Sequence, residues 1–294
     1  MANSTVIITD TSSTIKPNEF KDIHVISLLV TVDDDKTYLD AREISSDDIH
    51  NYFIKNKNGS VKTSLPRTQD VIDTLNEVVD KYDQVIMLPI SSGLSGTYNQ
   101  WKTIIETEFT DKKNIFIFDT KDIAISLKWL VLDVQKLANN GSSIKDIEKY
   151  VLDWHKRISC AVVLNDLTQA HKGGRIGKVS TYLGTILKIK PILHFHDGKN
   201  TVIGKKPTNK LAIQFALETF DKIFDFTKNK IAKVGFCSSF VCKEKIQRTL
   251  LELKEFLKKY QIFNVEESQI TPLISAHTGN DAFSINVLIE PFLK

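Results

Sequence analysis

Three short hydroxyl-rich segments hold the residues best suited to chemistry: Thr9-Asp10-Thr11-Ser12-Ser13, Thr63-Ser64-Leu65-Pro66 and Ser91-Ser92-Gly93-Leu94-Ser95-Gly96-Thr97-Tyr98. The third packs three serines and two glycines into six residues. It follows an apolar strand pattern at 85–88 and opens a helical pattern at 95–108. Hydroxyls and unpaired backbone N–H groups therefore gather at a positive helix end, a setting that accepts a carboxylate or a phosphate. The plain alternative is helix capping, which explains one serine before a helix but not this density. The first segment also follows a strand pattern, at 6–9, and so belongs at the same sheet edge, where ligands bind in open α/β sheets.

Two other points could serve a site. Gly173-Gly174 permits a tight turn that presents Arg175, a residue that alone reads as a solvated surface arginine. His277, in Ser275-Ala276-His277-Thr278-Gly279, lies where an apolar run meets a turn, a place where a lone histidine is more often structural or exposed. The stretch Gly93-Leu94-Ser95-Gly96-Thr97 nearly spells the GxSxG nucleophile elbow, so Ser95 with His277 defines a serine hydrolase as the rival reading. Against it, Thr97 puts a β-branched side chain where the elbow needs close backbone approach, and no acid pairs with His277 from sequence. His194 and His196 share one strand face but have no further ligand at metal spacing, so no metal site is expected. Neither a phosphate-binding GxxxxGK[ST] loop nor a kinase Gly-rich loop is present, so the sequence offers no ATP site of its own.

The elements that must position these residues follow from periodicity. Strand patterns at 6–9, 24–32, 85–88 and 115–118 alternate with helical patterns at 46–55, 68–81, 95–108 and 122–139. Nearly continuous apolar strands, each followed by a helix, predict a doubly wound, mostly parallel α/β domain. After a helix at 144–156, strands are expected at 158–164, 189–194, 201–204, 231–236, 262–270 and 283–290, with helices at 178–187, 209–228 and 243–260. The Asp197-Gly198 hairpin signal predicts a mixed or antiparallel sheet, hence an α+β domain. The expected division is 1–157 for the first domain and 158–294 for the second.

Composition sets outer bounds. A chain of 294 residues is long enough for two cores, and 41% hydrophobic with 26% charged residues is ordinary for a globular protein. A net charge of +3, without a basic stripe, gives no support to nucleic acid binding. The start of the chain has no signal-peptide pattern, no apolar run is long enough to span a membrane, and Cys160, Cys237 and Cys242 form no CxxC pair. A cytoplasmic protein with reduced thiols is expected.

Taken in order, the three hydroxyl segments, Lys172-Gly173-Gly174-Arg175-Ile176 and Ala276-His277-Thr278-Gly279 make the chain resemble the DegV family. Its bacterial members include the fatty acid binding subunits of fatty acid kinase. The resemblance spans essentially the whole chain. Thr11 stands where Ser is commoner and Leu65 where Gln is usual, which touches the head-group shell and not the family. It implies a non-catalytic, cofactor-free protein that holds a long-chain fatty acid between two domains. Thr63 and Ser95 would bind the carboxylate, with Ser64, Ser92 and Gly96 in support, and Arg175 and His277 would flank the mouth toward the kinase. The partners it implies are an ATP-dependent kinase subunit and an acyl-phosphate-using acyltransferase of phospholipid synthesis, with only transient membrane contact. A lipid esterase using Ser95 and His277, or a lipid-binding sensor without a kinase, stays as the alternative.

Overall fold

The computed structural model describes residues 4–56, 59–165, 167–175, 189–240 and 242–291. The helix expected over 178–187 and the motif residue Ile176 lie outside them. The chain folds as two compact units, residues 1–45 with 60–155, and 46–59 with 156–294. Residues 46–59, expected with the first domain, thus go with the second unit. There the helix α1 (Ser46–Lys55) packs on the segment near residues 270–280: the Ser46 hydroxyl bonds the Ile270 carbonyl, and Asn280 Nδ2 donates to the His50 carbonyl at 3.1 Å.

The rest of the first half forms the first unit. Its elements are β1 (Thr5–Asp10), β2 (Ile23–Ile26), β3 (Leu29–Val32), β4 (Lys36–Leu39), β5 (Val61–Ser64), α2 (Thr68–Val78), β6 (Gln84–Leu88), α3 (Thr97–Glu108), β7 (Ile115–Ile117), α4 (Ala124–Asn139) and α5 (Ile144–Trp154). Four strands make a wholly parallel sheet in the order β2-β1-β6-β7. Val6, Ile8, Val85 and Met87 point to one face, against Val71 and Leu75 of α2 and Trp101 and Ile104 of α3. Ile7 and Ile86, on the opposite face, are equally buried, and α4 packs on β1. Burial on both sides is why these strands read as continuous apolar runs.

The run 24–32, expected as one strand, is two. The chain leaves the parallel sheet after Ile26, and Leu28 N bonds Thr11 Oγ1 at 3.3 Å as it turns away. It then begins a second, three-stranded antiparallel sheet, β4-β3-β5. Asp33 and Asp34 make the turn from β3 to β4 with φ of 53° and 59°, a left-handed conformation that Asp tolerates better than most residues.

The second unit adds β8 (Ile158–Val163), α6 (Thr168–Gly173), β9 (Lys190–His196), β10 (Lys199–Lys206), α7 (Asn209–Phe224), β11 (Ile231–Ser238), α8 (Lys243–Leu257), β12 (Glu266–Gln269), α9 (Pro272–Thr278) and β13 (Phe283–Ile289). Six strands form a mixed sheet in the order β10-β9-β8-β13-β11-β12, antiparallel except for the β11 and β12 pair. Phe220, Phe236, Leu253, Ile285 and Val287 anchor its core. Asp197 and Gly198, both at positive φ, form the expected hairpin turn. The strand expected over 262–270 contracts to β12, and just beyond its C-terminal end Thr271 and Pro272 open α9, where proline suits the first helical position.

Candidate functional site

In the parallel sheet the chain goes from β1 to one neighbour, β2, and later returns to the other side as β6. The gap beyond the carboxyl ends of β1 and β6 is therefore a topological switch point, the usual ligand position in such sheets. Both hydroxyl-rich loops that follow those strands end there.

A buried carboxylate ties the two loops together. Asp10, last residue of β1, accepts from Ser12 N at 2.9 Å and Ser12 Oγ at 2.5 Å, and from Ile90 N, beyond β6, at 2.7 Å. Burial raises its pKa to about 6 even though these hydrogen bonds pull the other way. The Thr120 hydroxyl holds the Pro89 carbonyl at 2.7 Å, and Ser91 N donates to the Asp122 carbonyl at 3.0 Å. Asp122 in turn accepts from Ser126 Oγ, Ile123 N and the Trp154 indole at 2.5, 2.8 and 2.6 Å. Its pKa too is pushed up to about 6 by burial.

Within the loop itself, Leu94 N and Ser95 N both donate to the Ser91 carbonyl, at 3.0 and 3.1 Å. Ser92 gives its N–H and its hydroxyl to Asp119, at 3.0 and 2.5 Å. Gly96 occupies the cap position of α3 and has no side chain to cap it, so neither Ser92 nor Ser95 is the N-cap residue, although Ser95 takes up one first-turn N–H. Ser95 Oγ accepts from Thr97 N at 3.3 Å and lies 2.8 Å from Thr97 Oγ1.

The segment containing Thr63 is fastened beside this loop. Thr63 pairs with Val30 in the small sheet and is half-buried, while Ser64 is exposed. Leu65 packs over Gly96, where a Cβ would stand 3.5 Å from its Cδ2. Gln100 Nε2 donates to the Pro66 carbonyl at 3.0 Å and reaches Thr68 Oγ1 at 3.4 Å. The segments 63–66 and 91–97 are thus neighbours at the start of α3.

In the second unit, Arg175 and His277 meet through a glycine. Arg175 Nη1 donates to the Gly173 carbonyl at 2.6 Å, and the His277 ring lies so close to Gly173 that a Cβ there would fall 2.1 Å from Nδ1. Burial, with Arg175 adding repulsion, drives the His277 pKa down to about 4, so the ring is neutral near pH 7. Arg175→Ala is expected to move this pKa upward. Gly173→Ala is expected to displace the ring and shift its resonances, and imidazole NMR titration reads both. Unchanged His277 titration and resonances in both variants would refute this contact.

A model of the family described as "Uncharacterised protein, DegV family" matches residues 4–290. The chain belongs to the DegV family. A DegV domain-containing protein of Mycoplasma pneumoniae is 38% identical over 296 aligned positions, covering 97% of this chain and 98% of its own. The solved structure of DegV from Bacillus subtilis, described as a fatty acid binding protein, superposes with a TM-score of 0.80 at 25% identity, covering 98% of this chain and all (100%) of that one. A DegV family protein from Thermus thermophilus, whose structure is described by its fatty acid binding, shares the fold at a TM-score of 0.85 and 21% identity, over 98% and 100% of the two chains.

Sequence alone marked both hydroxyl loops of this DegV chain but missed Asp119 and Asp122 as their anchors. Two acids just past the short β7, at the same sheet edge, were the available signal. His194 and His196 do not converge as metal ligands would: their rings stack at 5.4 Å with planes 12° apart, and His194 Nε2 lies 2.6 Å from Ser159 Oγ. Among the described residues there is no cluster of three or more His, Cys, Asp or Glu able to hold a metal ion, and no helix long and apolar enough to cross a membrane.

Proposed function

We propose that this protein binds a long-chain fatty acid by its carboxylate at the segments 63–66 and 91–97, and presents that carboxylate to a separate ATP-dependent kinase for conversion to an acyl phosphate. The observation that carries the reading is a helix start at a topological switch point whose N-cap residue, Gly96, has no side chain, lined by neutral hydroxyl and N–H donors. With Thr97 as donor in the Ser95 pair, Ser95 accepts twice and keeps its own proton for an outside acceptor such as a carboxylate. Thr63 is the second head-group ligand, with Ser64 and the backbone at Gly96 in support. Ser92 acts through Asp119 and not as a direct ligand. The fatty acid binding described for the Bacillus subtilis relative supports the same ligand class.

Tail burial supplies the affinity. Each methylene removed from water contributes about 0.8 kcal/mol, so a sixteen-carbon chain gains roughly 12 kcal/mol before ordering costs. Neutral donors then need only orient the head group, which leaves it open to phosphoryl transfer. Arg175 and His277 face the kinase, an acyltransferase consumes the acyl phosphate, and the protein works in the cytoplasm without a cofactor or catalysis of its own. A hydrolase is disfavoured by His277: a ring with a pKa of about 4 and a cation beside it is a poor general base near pH 7.

Protein expressed in bacteria is expected to copurify with near-stoichiometric fatty acid, seen as a mass increment in native mass spectrometry. An empty protein that takes up neither oleate nor palmitate would refute the reading.

A further inference from the structure

Lys190, the first residue of β9, rests its side chain on an amide and not on a carboxylate. Its Nζ donates to Asn165 Oδ1, just past the end of β8, at 3.2 Å, and among the described residues it forms no ion pair. The carboxylate whose charge reaches it, that of Asp281, is taken up by Lys245 in an ion pair of 2.7 Å. Lys190 is half-buried, and burial lowers its pKa; the charge of Asp281 acts against this shift and that of Lys245 adds to it. Lys112, Lys228 and Lys230 show the contrary arrangement. Each has its Nζ 2.7 to 2.8 Å from a carboxylate, of Asp80, Asp225 and Glu290 in turn, and those hydrogen bonds raise its pKa.

An ammonium has no lone pair to give, so a lysine reacts as a nucleophile only in its amine form. Desolvation beside a second cation enlarges that fraction. A neutral acceptor helps as well, because Asn165 Oδ1 accepts from an amine N–H as it does from an ammonium, whereas a carboxylate favours the charged form. We propose that Lys190 is a site of covalent modification by acyl phosphates. The Nζ lone pair attacks the acyl carbonyl carbon, the bond from that carbon to the phosphate oxygen breaks, inorganic phosphate leaves with the bonding electrons, and the amine proton passes to water. The product is a neutral amide that keeps one N–H for Asn165. The class of donor follows from charge and leaving group. With Lys190 protonated, the ammonium groups of Lys190 and Lys245 meet the single carboxylate of Asp281, so the cluster draws an anion. An acyl phosphate is an anion that carries its own leaving group. The inference concerns the second unit alone and does not depend on the fatty acid reading.

The test incubates the full chain with acetyl phosphate near neutral pH and reads the initial rate of acetylation at each lysine by quantitative peptide mass spectrometry. Lys190 is expected to react about fivefold faster than Lys62, Lys228 and Lys230, each paired with a carboxylate. Those three are more exposed than Lys190, so accessibility by itself gives the opposite order. Asn165→Asp, at an exposed position, puts a carboxylate where the amide stood and is expected to bring Lys190 down to their rate. Lys245→Gln releases Asp281 toward Lys190 and is expected to slow it too. A wild-type rate at Lys190 no higher than at Lys62, Lys228 and Lys230 overturns the inference, as does a rate at Lys190 that both variants leave unchanged. Either result leaves the fatty acid reading standing, and a protein that binds no fatty acid leaves this inference standing.

Discussion

Replacing Asp10 by alanine is expected to destabilise the first unit by about 3 kcal/mol and to weaken fatty acid binding with it. The substitution leaves Ile90 N–H, Ser12 N–H and the Ser12 hydroxyl without their acceptor in a buried place. Each such orphaned donor costs on the order of 1–3 kcal/mol, and relief of the carboxylate's own burial offsets part of the sum. The consequence for function is geometric. Ile90 begins the turn that carries residues 91–97, so without Asp10 the loops after β1 and β6 lose their common anchor. Urea denaturation followed by circular dichroism measures the loss, and a midpoint unchanged at constant slope would rule it out.

The same residue sets a pH dependence whose sign can be worked out. Asp10 has a pKa of about 6 in the folded protein and an ordinary carboxylate value near about 3.9 when unfolded. Below about 4 both states are protonated. As pH rises from there through about 6, the unfolded chain gives up its proton first, so stability falls across that window, by no more than about 3 kcal/mol. Asp122 contributes in the same direction. His277 and His194, both lowered to about 4, act oppositely, since the unfolded chain holds their protons longer and stability rises with pH between about 4 and 6.5. Asp10→Asn removes one of the falling contributions, so its stability relative to the wild type should improve as pH goes from 4 to 6, from a lower starting value. A difference that stays constant over that range would show that Asp10 does not titrate there.

How far the sequence foretells this depends on what each residue answers to. The parallel strands are legible because burial on both faces makes Val6, Ile7 and Ile8 apolar without alternation. The Asp197-Gly198 hairpin is legible because positive φ at both positions selects those residue types. The small β4-β3-β5 sheet is not, since Leu29 continues the apolar run of β2 and only tertiary pairing separates the two strands. Assignment of α1 to the second unit is a long-range matter as well, decided by bonds from Ser46 and His50 to residues more than two hundred positions away. For the site, residue type and position past a strand pointed to the loop 91–97, whereas the expected roles of Thr63 and Ser95 came from the family resemblance. The anchoring roles of Asp119 and Asp122 depend on which N–H groups the folded loop turns toward them.

The division between ligand and partner roles makes the sharpest separation. Ser95→Ala removes one hydrogen bond to a charged acceptor, a contact worth about 1.5–3 kcal/mol, so palmitate affinity should fall roughly 10- to 100-fold. The fold should be unaffected, since Ser95 is only partly buried and its loop hangs on Asp10, Asp119 and Asp122. Arg175→Ala and His277→Ala should behave in the opposite way, leaving Kd within about twofold while acyl phosphate formation with the kinase drops by tenfold or more, as for loss of a transition-state contact. Isothermal titration with palmitate and a coupled ATP-consumption assay read the two effects separately. Loss of an esterase activity in Ser95→Ala with lipid retention intact would instead make Ser95 a nucleophile. Equal losses of affinity in all three variants would place Arg175 and His277 among the ligand contacts, because a residue that meets only the partner cannot change binding in the partner's absence.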